Sequence, residues 1–237
     1  MTDHRTPGDR ALAAEFAALS GSLLSEPSEE LTFDAVVKSA TEMVPGCVHA
    51  GITLRRRRAR AETVASTDAL VDRLDAVQYA LGQGPCLDAA FEHDDVVVDD
   101  VATDRRWPRW ADEARSAGIG SVMAIRLATA EETIGALNLY AEQAHNFSGD
   151  ATDIAQIFGA HATEAMSKAR LVSGLRAALE SRHVIGIAQG VLAAQYDISY
   201  ERAFEVLHRY SNDRNLKLRD VAQKVADERR LRLDDRS

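Results

Sequence analysis

Apolar residues in the first part of the chain recur at two different spacings. A helical spacing begins behind Thr32, a possible N-cap, and stops before Pro45. It is carried by five residues, Phe33, Val36, Val37, Ala40 and Val44. From Val48 to Leu54 every second residue is apolar, which is typical of a strand, and the stretch ETVAS follows after an arginine-rich turn. The pattern predicts a packed helix followed by an antiparallel hairpin.

The same reasoning extends to residue 140. It predicts helices over 68–80 and 108–117, a short strand over 96–98, and strands over 121–127 and 133–140 joined by the loop TAEE. Helices mixed among mainly hairpin-linked strands favour an α+β fold, an antiparallel sheet with helices packed on it.

Beyond Phe147 the apolar spacing becomes helical and continues without proline to about Tyr196. A helix of this length exceeds one small domain, so we expect a connecting helix that pairs with its copy in a homodimer. The alternative is two helices joined at Gly174, since a glycine inside a helix costs only about 1 kcal/mol.

Two short amphipathic helices follow the long one. Ser199 is a good N-cap for the first of them. We expect each helix to bury one narrow face. The first face comprises Ala203, Phe204, Leu207 and Tyr210, and the second comprises Leu218, Val221, Ala222 and Val225.

The distribution of charge differs between the two parts of the chain. The net charge of the 237 residues is -9. Residues 1–167 carry 14 Lys+Arg and 27 Asp+Glu, a net -13, whereas residues 168–237 carry 14 and 10, a net +4. An acidic body repels polyanions, so any nucleic-acid contact should lie in the C-terminal part.

The stretch HRYSNDRNLKLRD, residues 208–220, is basic and rich in amides. Cations attract phosphates, while amides and hydroxyls can contact sugars or bases, so this junction is a candidate contact with RNA or DNA. A solvated connection between two helices would have the same composition. Tyr210 could stack on a base, although its position in the apolar stripe favours the core.

Residues 185–226 resemble the ANTAR family, a three-helix output domain whose members bind structured RNA and oppose transcription termination. The resemblance rests on Gly190, the Ala203-Phe204 pair, and KLRDVA at 217–222. It implies binding to paired RNA hairpins. Arg209, Lys217 and Arg219 would contact phosphates, and Ser211, Asn215 and Gln189 would contact sugars or bases. Many members have Lys at position 189 and Arg at position 208, where this chain has Gln and His.

The preceding region resembles GAF domains, which sense small molecules or redox state. The resemblance is carried by LDAVQYALGQGPCLDA at 74–89, DRRWPRWADEARSAGIGSV at 104–122 and IGALNLYAEQAHNFS at 134–148. It divides the chain into an N-terminal segment (1–27), a GAF-like sensor domain (28–170) and an ANTAR-like output domain (171–237). The fold does not identify a ligand or a cofactor.

Several residues of the sensor region are candidates for ligand contact or chemistry. Tyr79, Trp107 and Trp110 could line a pocket or belong to the core. The motif LGQGPC, residues 81–86, lacks the ending of a phosphate-binding loop, so a structural turn with a buried thiol is favoured for Cys86 over redox sensing or catalysis. We predict no enzymatic activity.

Charged clusters in the same region have simple explanations. The arginine-rich turn at 55–60 is predicted to be a solvated hairpin tip, and a contact with nucleic-acid phosphates is the alternative. The stretches HDD at 93–95 and DD at 99–100 flank a strand and show no spacing of metal ligands, so no metal site is predicted.

These observations predict a cytoplasmic regulator, because the sequence contains neither a membrane-spanning segment nor a secretory signal. A small-molecule or redox signal would act on the sensor, and the output domain would bind structured RNA. The alternative is a DNA-binding regulator, because two short helices with a basic junction resemble a helix-turn-helix.

Overall fold

The computed structural model describes residues 7–56, 60–92 and 94–234. Contacts divide the chain into an N-terminal unit, Met1–Leu171, and a C-terminal unit, Val172–Ser237. One helix, α6 (Asp150–Tyr196), begins in the first unit and ends in the second. Because this helix is uninterrupted, the alternative with a break at Gly174 is wrong.

The N-terminal unit contains five strands and five further helices in addition to the start of α6, within the residues described. In chain order they are α1 (Pro7–Ser25), α2 (Glu29–Met43), β1 (His49–Arg56), β2 (Arg60–Ser66), α3 (Ala69–Leu81), α4 (Pro85–Phe91), β3 (Val96–Val98), α5 (Pro108–Ser116), β4 (Ser121–Ala128) and β5 (Thr133–Ala141).

The strands form one antiparallel sheet in the order β2-β1-β5-β4-β3. The predicted hairpins β1–β2 and β4–β5 are both present, and the predicted α+β class is confirmed. Gly135 on β5 lies where an added Cβ would be 1.9 Å from the carbonyl oxygen of Thr53, so only glycine permits this approach of β5 to β1.

The two faces of the sheet bury different layers, because successive side chains of a strand point to opposite sides. One face packs against α1, α2 and α6 through an aliphatic core that includes Ile52, Leu137, Phe33 and Phe158. The other face packs against α3, α4 and α5. Its contacts include Leu74, Trp110, Val122 and Tyr140, and alanines of α4 against alanines of β4 and β5.

The N-terminal part of the chain differs from expectation in three places. Helix α2 begins at Glu29 and is capped by Ser28, whose hydroxyl oxygen accepts from the backbone N–H of Leu31. Thr32 is therefore not the N-cap, and its hydroxyl donates to the Ser28 carbonyl. Helices α1 and α4 were not predicted. Helix α1 buries Phe16, Leu19 and Leu23 in the aliphatic core, so much of segment 1–27 is part of the N-terminal unit.

The C-terminal unit packs the end of α6 against α7 (Tyr200–Asp213) and α8 (Leu218–Asp234). Ser199 caps α7 by accepting from the N–H of Arg202, as predicted. The apolar cluster at its centre is small and contains Ala188, Leu207, Val221 and Ala222. The predicted face of α7 is correct for Ala203 and Leu207 but wrong for two aromatic residues. Phe204 and Tyr210 are 39% and 48% exposed.

Candidate functional sites

A buried polar cluster lies between the sheet and α3, with Asp75 at its centre. The Asp75 carboxylate has no exposed surface. Its Oδ2 accepts from the Thr63 hydroxyl over 2.7 Å, and its Oδ1 accepts from the Tyr140 hydroxyl over 3.2 Å and from Gln78 Nε2 over 3.4 Å. Buried polar groups are normally paired in this way, and here one carboxylate organises several neutral donors.

Tyr79 joins this cluster from the same helix. Its hydroxyl lies 2.8 Å from Thr63 Oγ1 and 3.1 Å from Thr53 Oγ1. Asn138 on β5 donates from Nδ2 to Thr53 Oγ1 over 3.0 Å, and its buried Oδ1 has no hydrogen-bond partner among the described residues. Tyr79, one of the predicted sensor residues, is therefore part of a hydrogen-bond network that connects α3 to strands β1, β2 and β5.

Burial determines the electrostatics of this cluster. Desolvation raises the pKa of Asp75 from 3.8 to about 6, against the opposing hydrogen bonds from Thr63 and Tyr140. Desolvation also raises the pKa of Tyr140 and of Tyr79, and the neighbouring Asp75 charge adds to both shifts. Burial therefore shifts the ionisation equilibrium of all three groups toward their neutral forms.

Cys86 lies at the start of α4, where the LGQGPC turn meets Gln78. Gly84 has a φ of 150°, and an added Cβ would be 2.2 Å from Gln78 Oε1. That oxygen accepts from the backbone N–H of Cys86 over 2.9 Å. The Cys86 side chain is buried, and desolvation, followed by the Asp75 charge, raises its thiol pKa well above the ordinary value. Reactive cysteines show the opposite shift.

Trp107 and Trp110, the other two sensor candidates, are both buried in the layer that contains α5. Their rings meet edge to face with centroids 6.4 Å apart. The Arg106 guanidinium covers Trp107 at 4.4 Å, and Trp110 Nε1 is buried without a hydrogen-bond partner. Both tryptophans belong to the same apolar cluster as Tyr140.

The arginine-rich turn is only partly described, since residues 57–59 lie outside the described residues. Arg55 lies over the Phe91 ring at 5.2 Å, and Arg56 Nε is 2.6 Å from Glu62 Oε2. Of the candidate metal ligands at 93–95 and 99–100, His93 is likewise outside the described residues. No group of metal-ligating side chains occurs in the part that is described.

The basic junction of the C-terminal unit connects α7 and α8. The side chains of Arg209 and Lys217 are exposed and have no hydrogen-bond or ion-pair partner among the described residues. Arg219 forms an exposed ion pair with Glu180 at 3.2 Å. Asn215 is exposed and adopts a φ of 50°, a left-handed conformation that asparagine tolerates better than most residues. These four side chains face solvent.

Two other residues that were predicted to contact RNA, Ser211 and Gln189, form hydrogen bonds within the C-terminal unit instead. Ser211 is buried, and its hydroxyl donates to the carbonyl of Leu216 over 2.6 Å. Gln189 is half-buried, and its Nε2 donates to the carbonyl of Tyr200 over 3.1 Å. The structure thus gives both side chains a role in holding helices together.

The sequence pattern assigned Tyr210 to the core, but the structure places it beside the basic junction. The Arg214 guanidinium lies 5.4 Å from the centroid of its ring. On the same helix, the Phe204 ring stacks on His208 at 6.0 Å. An apolar stripe on a helix does not reveal how many of its residues are covered, so the sequence contained no signal for this exposure.

Family models match both units. A GAF domain model matches residues 26–167, and an ANTAR domain model matches residues 173–225. The chain belongs to the GAF domain family and carries an ANTAR domain. This GAF–ANTAR architecture is that of a signal-regulated antitermination regulator. No curated protein sequence matches the chain. None of the helices described is long and apolar enough to cross a membrane.

Solved structures support the fold of the GAF unit. A domain assigned to a two-component sensor histidine kinase of Sinorhizobium meliloti 1021 aligns with a TM-score of 0.53 at 17% identity, over 64% of this chain and 99% of that one. The GAF domain of an Acinetobacter phosphoenolpyruvate-protein phosphotransferase gives 0.53 at 14%, over 73% and 99%. The cyanobacteriochrome TePixJ GAF domain gives 0.51 at 10%, over 63% and 95%. These similarities concern the fold alone.

Proposed function

We propose that this GAF–ANTAR protein opposes transcription termination by binding structured RNA through its C-terminal unit. The ANTAR match over residues 173–225 carries the proposal. Bound RNA would be held as paired hairpins, and the competing terminator hairpin would not form.

The basic junction supplies suitable groups for RNA contact. Arg209 and Lys217 are exposed cations without a protein partner among the described residues, so they are available to phosphates. Arg219 forms an ion pair with Glu180. Because this pair is exposed and therefore weak, a phosphate could replace Glu180 at little cost in free energy. Asn215 offers an amide to sugar or base edges, and Tyr210 offers a ring face for stacking.

A homodimer through α6 is part of this proposal. Leu171, Leu175 and Leu179 follow one another at four-residue spacing, and their side chains are 64%, 57% and 65% exposed. Large leucines at this spacing form one apolar stripe on a helix, and a second copy of the same helix would cover it. Two output domains would then be available for two RNA hairpins.

The GAF domain would control this output in response to a small molecule or a redox change. Such control requires the signal to bind the two states of the protein with different affinity. We assign no catalytic role to the domain, because the environment of Cys86 favours the thiol and not the nucleophilic thiolate. A cytoplasmic location is also part of the proposal.

The test is binding of the full chain to a two-hairpin RNA leader and to duplex DNA of the same sequence across a salt series. Arg209→Ala and Lys217→Ala should weaken RNA binding, and each should flatten the salt dependence by about one unit. Arg202→Ala is the matched control, because this exposed arginine lies at the other end of α7 and pairs with Glu205.

The outcomes separate the candidate partners. Preference for the RNA, lost in the two variants and kept in the control, supports the proposal. Equal or tighter binding to the duplex DNA would favour a helix-turn-helix regulator instead. RNA binding that neither variant changes would reject the basic junction as the contact surface.

A further inference from the structure

A cleft of about 810 Å³ opens on the GAF unit at one end of the sheet. It lies between the end of β1, the loop that joins β4 to β5, and α6. Arg55, Arg56, Arg126 and Arg170 line it from three different parts of the fold. Four guanidinium groups converge here in a region whose net charge over residues 1–167 is -13.

The arginines are only partly neutralised. Glu131 and Glu132 also line the cleft, so among the described residues its lining carries two more positive than negative side chains. Arg170 is 3.4 Å from Glu132, and Arg56 pairs with Glu62 outside the lining residues. Both pairs are exposed, and exposed pairs hold their partners weakly. An anion could therefore replace Glu132 at Arg170.

On one wall of the cleft, hydrogen bonds hold the charged Arg126 side chain in a fixed position. The Arg126 guanidinium donates from Nε and Nη2 to the Thr133 hydroxyl oxygen, over 3.1 and 2.6 Å. The backbone N–H of Arg126 donates to Asp95 Oδ1. A guanidinium held by a neutral hydroxyl keeps its full charge, and its planar donor set matches the oxygens of a phosphate.

We propose that this cleft binds a small molecule carrying two or more phosphate groups. The volume is in the range of small-molecule sites. The polar and cationic lining suits a hydrophilic polyanion and does not suit an apolar ligand. A long nucleic acid would also approach the rest of this region, whose residues 1–167 carry a net charge of -13, and be repelled, whereas a small anion would contact the arginines alone. The site is separate from the buried cluster around Asp75.

Occupancy of this site would involve α6 directly. Arg170 lies one residue before the end of the N-terminal unit, and α6 continues from there to Tyr196. A polyphosphate that binds Arg170 would replace the contact between this helix and the β4–β5 loop. The proposal does not depend on RNA binding, because ligand binding to the cleft is measured without RNA.

The experiment is titration of the full chain by calorimetry with inorganic pyrophosphate, with adenosine diphosphate, and with orthophosphate at matched ionic strength. We expect one saturable site for a diphosphate and weaker binding of orthophosphate. Binding of pyrophosphate would show that phosphate groups suffice, and binding of adenosine diphosphate alone would identify a nucleotide as the ligand class.

Variants locate the site. Arg56→Ala and Arg170→Ala should each weaken binding about tenfold, the loss expected for one charge-assisted contact. Arg115→Ala is the control, since this exposed arginine on α5 pairs with Asp112 and is not among the cleft residues. Glu132→Gln should tighten binding, because it removes a repulsive charge and frees Arg170. A misfolded variant would not show such a gain.

Three results would overturn the proposal. One is the absence of binding by both diphosphates in the wild-type chain. Another is binding that the two arginine variants and Glu132→Gln leave unchanged. The third is binding of hairpin RNA that is lost in Arg56→Ala and Arg170→Ala, because the cleft would then be a nucleic-acid contact.

Discussion

The Tyr140 hydroxyl donates to Asp75 Oδ1 across 3.2 Å, and both side chains are completely buried. Three other neutral side chains surround the carboxylate, and none of its hydrogen-bond partners within the described part of the chain carries a positive charge. A buried carboxylate without a cation prefers its protonated form, which explains the raised pKa of about 6.

This pKa predicts that Asp75 makes the free energy of unfolding depend on pH. Because the folded pKa of about 6 exceeds the ordinary 3.8, the folded state binds this proton more tightly than the unfolded chain. The stabilisation is complete below about pH 4 and is lost as pH rises through 6. The total change is about 3 kcal/mol.

Asp75→Asn should remove this dependence, because asparagine imitates the protonated carboxyl and Thr63 Oγ1 can accept from its amide. Urea unfolding at pH 4, 6 and 8 measures the difference. We expect the variant to gain about 3 kcal/mol relative to wild type between pH 4 and pH 8. Asp112→Asn removes an exposed carboxylate and should not reproduce the gain. A constant difference between Asp75→Asn and wild type would contradict the prediction.

The two cysteines should be unreactive in the folded protein. Cys86 and Cys47 are both buried free thiols, and desolvation raises the pKa of Cys47 to about 12. Only the thiolate attacks disulfide reagents. At pH 8 we expect a colorimetric disulfide reagent to label neither thiol until denaturant is added.

Single variants assign any reaction that does occur. In Cys47→Ser only Cys86 can react, and in Cys86→Ser only Cys47 can react. Labelling of Cys86 in the folded chain as fast as in the unfolded chain would show that the thiol is accessible. It would also revive redox sensing at this position, which the sequence left open.

The sequence predicted the strands of the GAF unit closely, because each strand shows its own alternation or apolar run. The predicted strand over 96–98 coincides with β3, and Ser199 was correctly identified as the cap of α7. Helix α4 was missed, since it is short and begins with Pro85 inside a glycine-rich turn. An apolar pattern of this length does not distinguish a loop from a helix of about two turns.

The sites depended on contacts between distant parts of the chain. The sequence identified Tyr79 and Cys86 separately, but only the structure shows the network that places Thr53, Asp75 and Asn138 around them. No local pattern marks Asp75, because it is one carboxylate on an ordinary amphipathic helix. The same limit applies to the arginine cleft, whose four arginines come from residues 55 to 170.

The leucine stripe on α6 should control the oligomeric state. Leu175→Glu with Leu179→Glu introduces two charges into the proposed seam and should convert a dimer to a monomer. Analytical ultracentrifugation of the full chain over a range of concentrations measures this change. Leu31→Glu is the control, because Leu31 is a similarly exposed leucine on α2. A monomeric wild type, or a double variant that remains dimeric, would reject the seam.

Tyr210 should contribute to RNA affinity through its ring and not through its charge. Stacking of one base on an aromatic ring is worth about 1–3 kcal/mol, so Tyr210→Ala should weaken RNA binding by about tenfold or more. Tyr210→Phe keeps the ring and should bind nearly as well as wild type. Because no phosphate contact is removed, the salt dependence of Tyr210→Ala should match wild type, unlike that of Lys217→Ala.

Thermal unfolding distinguishes this role from a role in packing. The Tyr210 side chain is about half exposed and the Arg214 guanidinium lies against its ring, so Tyr210→Ala should change the melting temperature little. Leu207→Ala removes a buried side chain from the same helix and should destabilise the unit by about 2–5 kcal/mol. If Tyr210→Ala instead destabilises the protein as Leu207→Ala does and binds RNA with unchanged affinity, Tyr210 is a packing residue. Weakened RNA binding with unchanged stability would place it in the RNA contact surface beside Arg209 and Lys217.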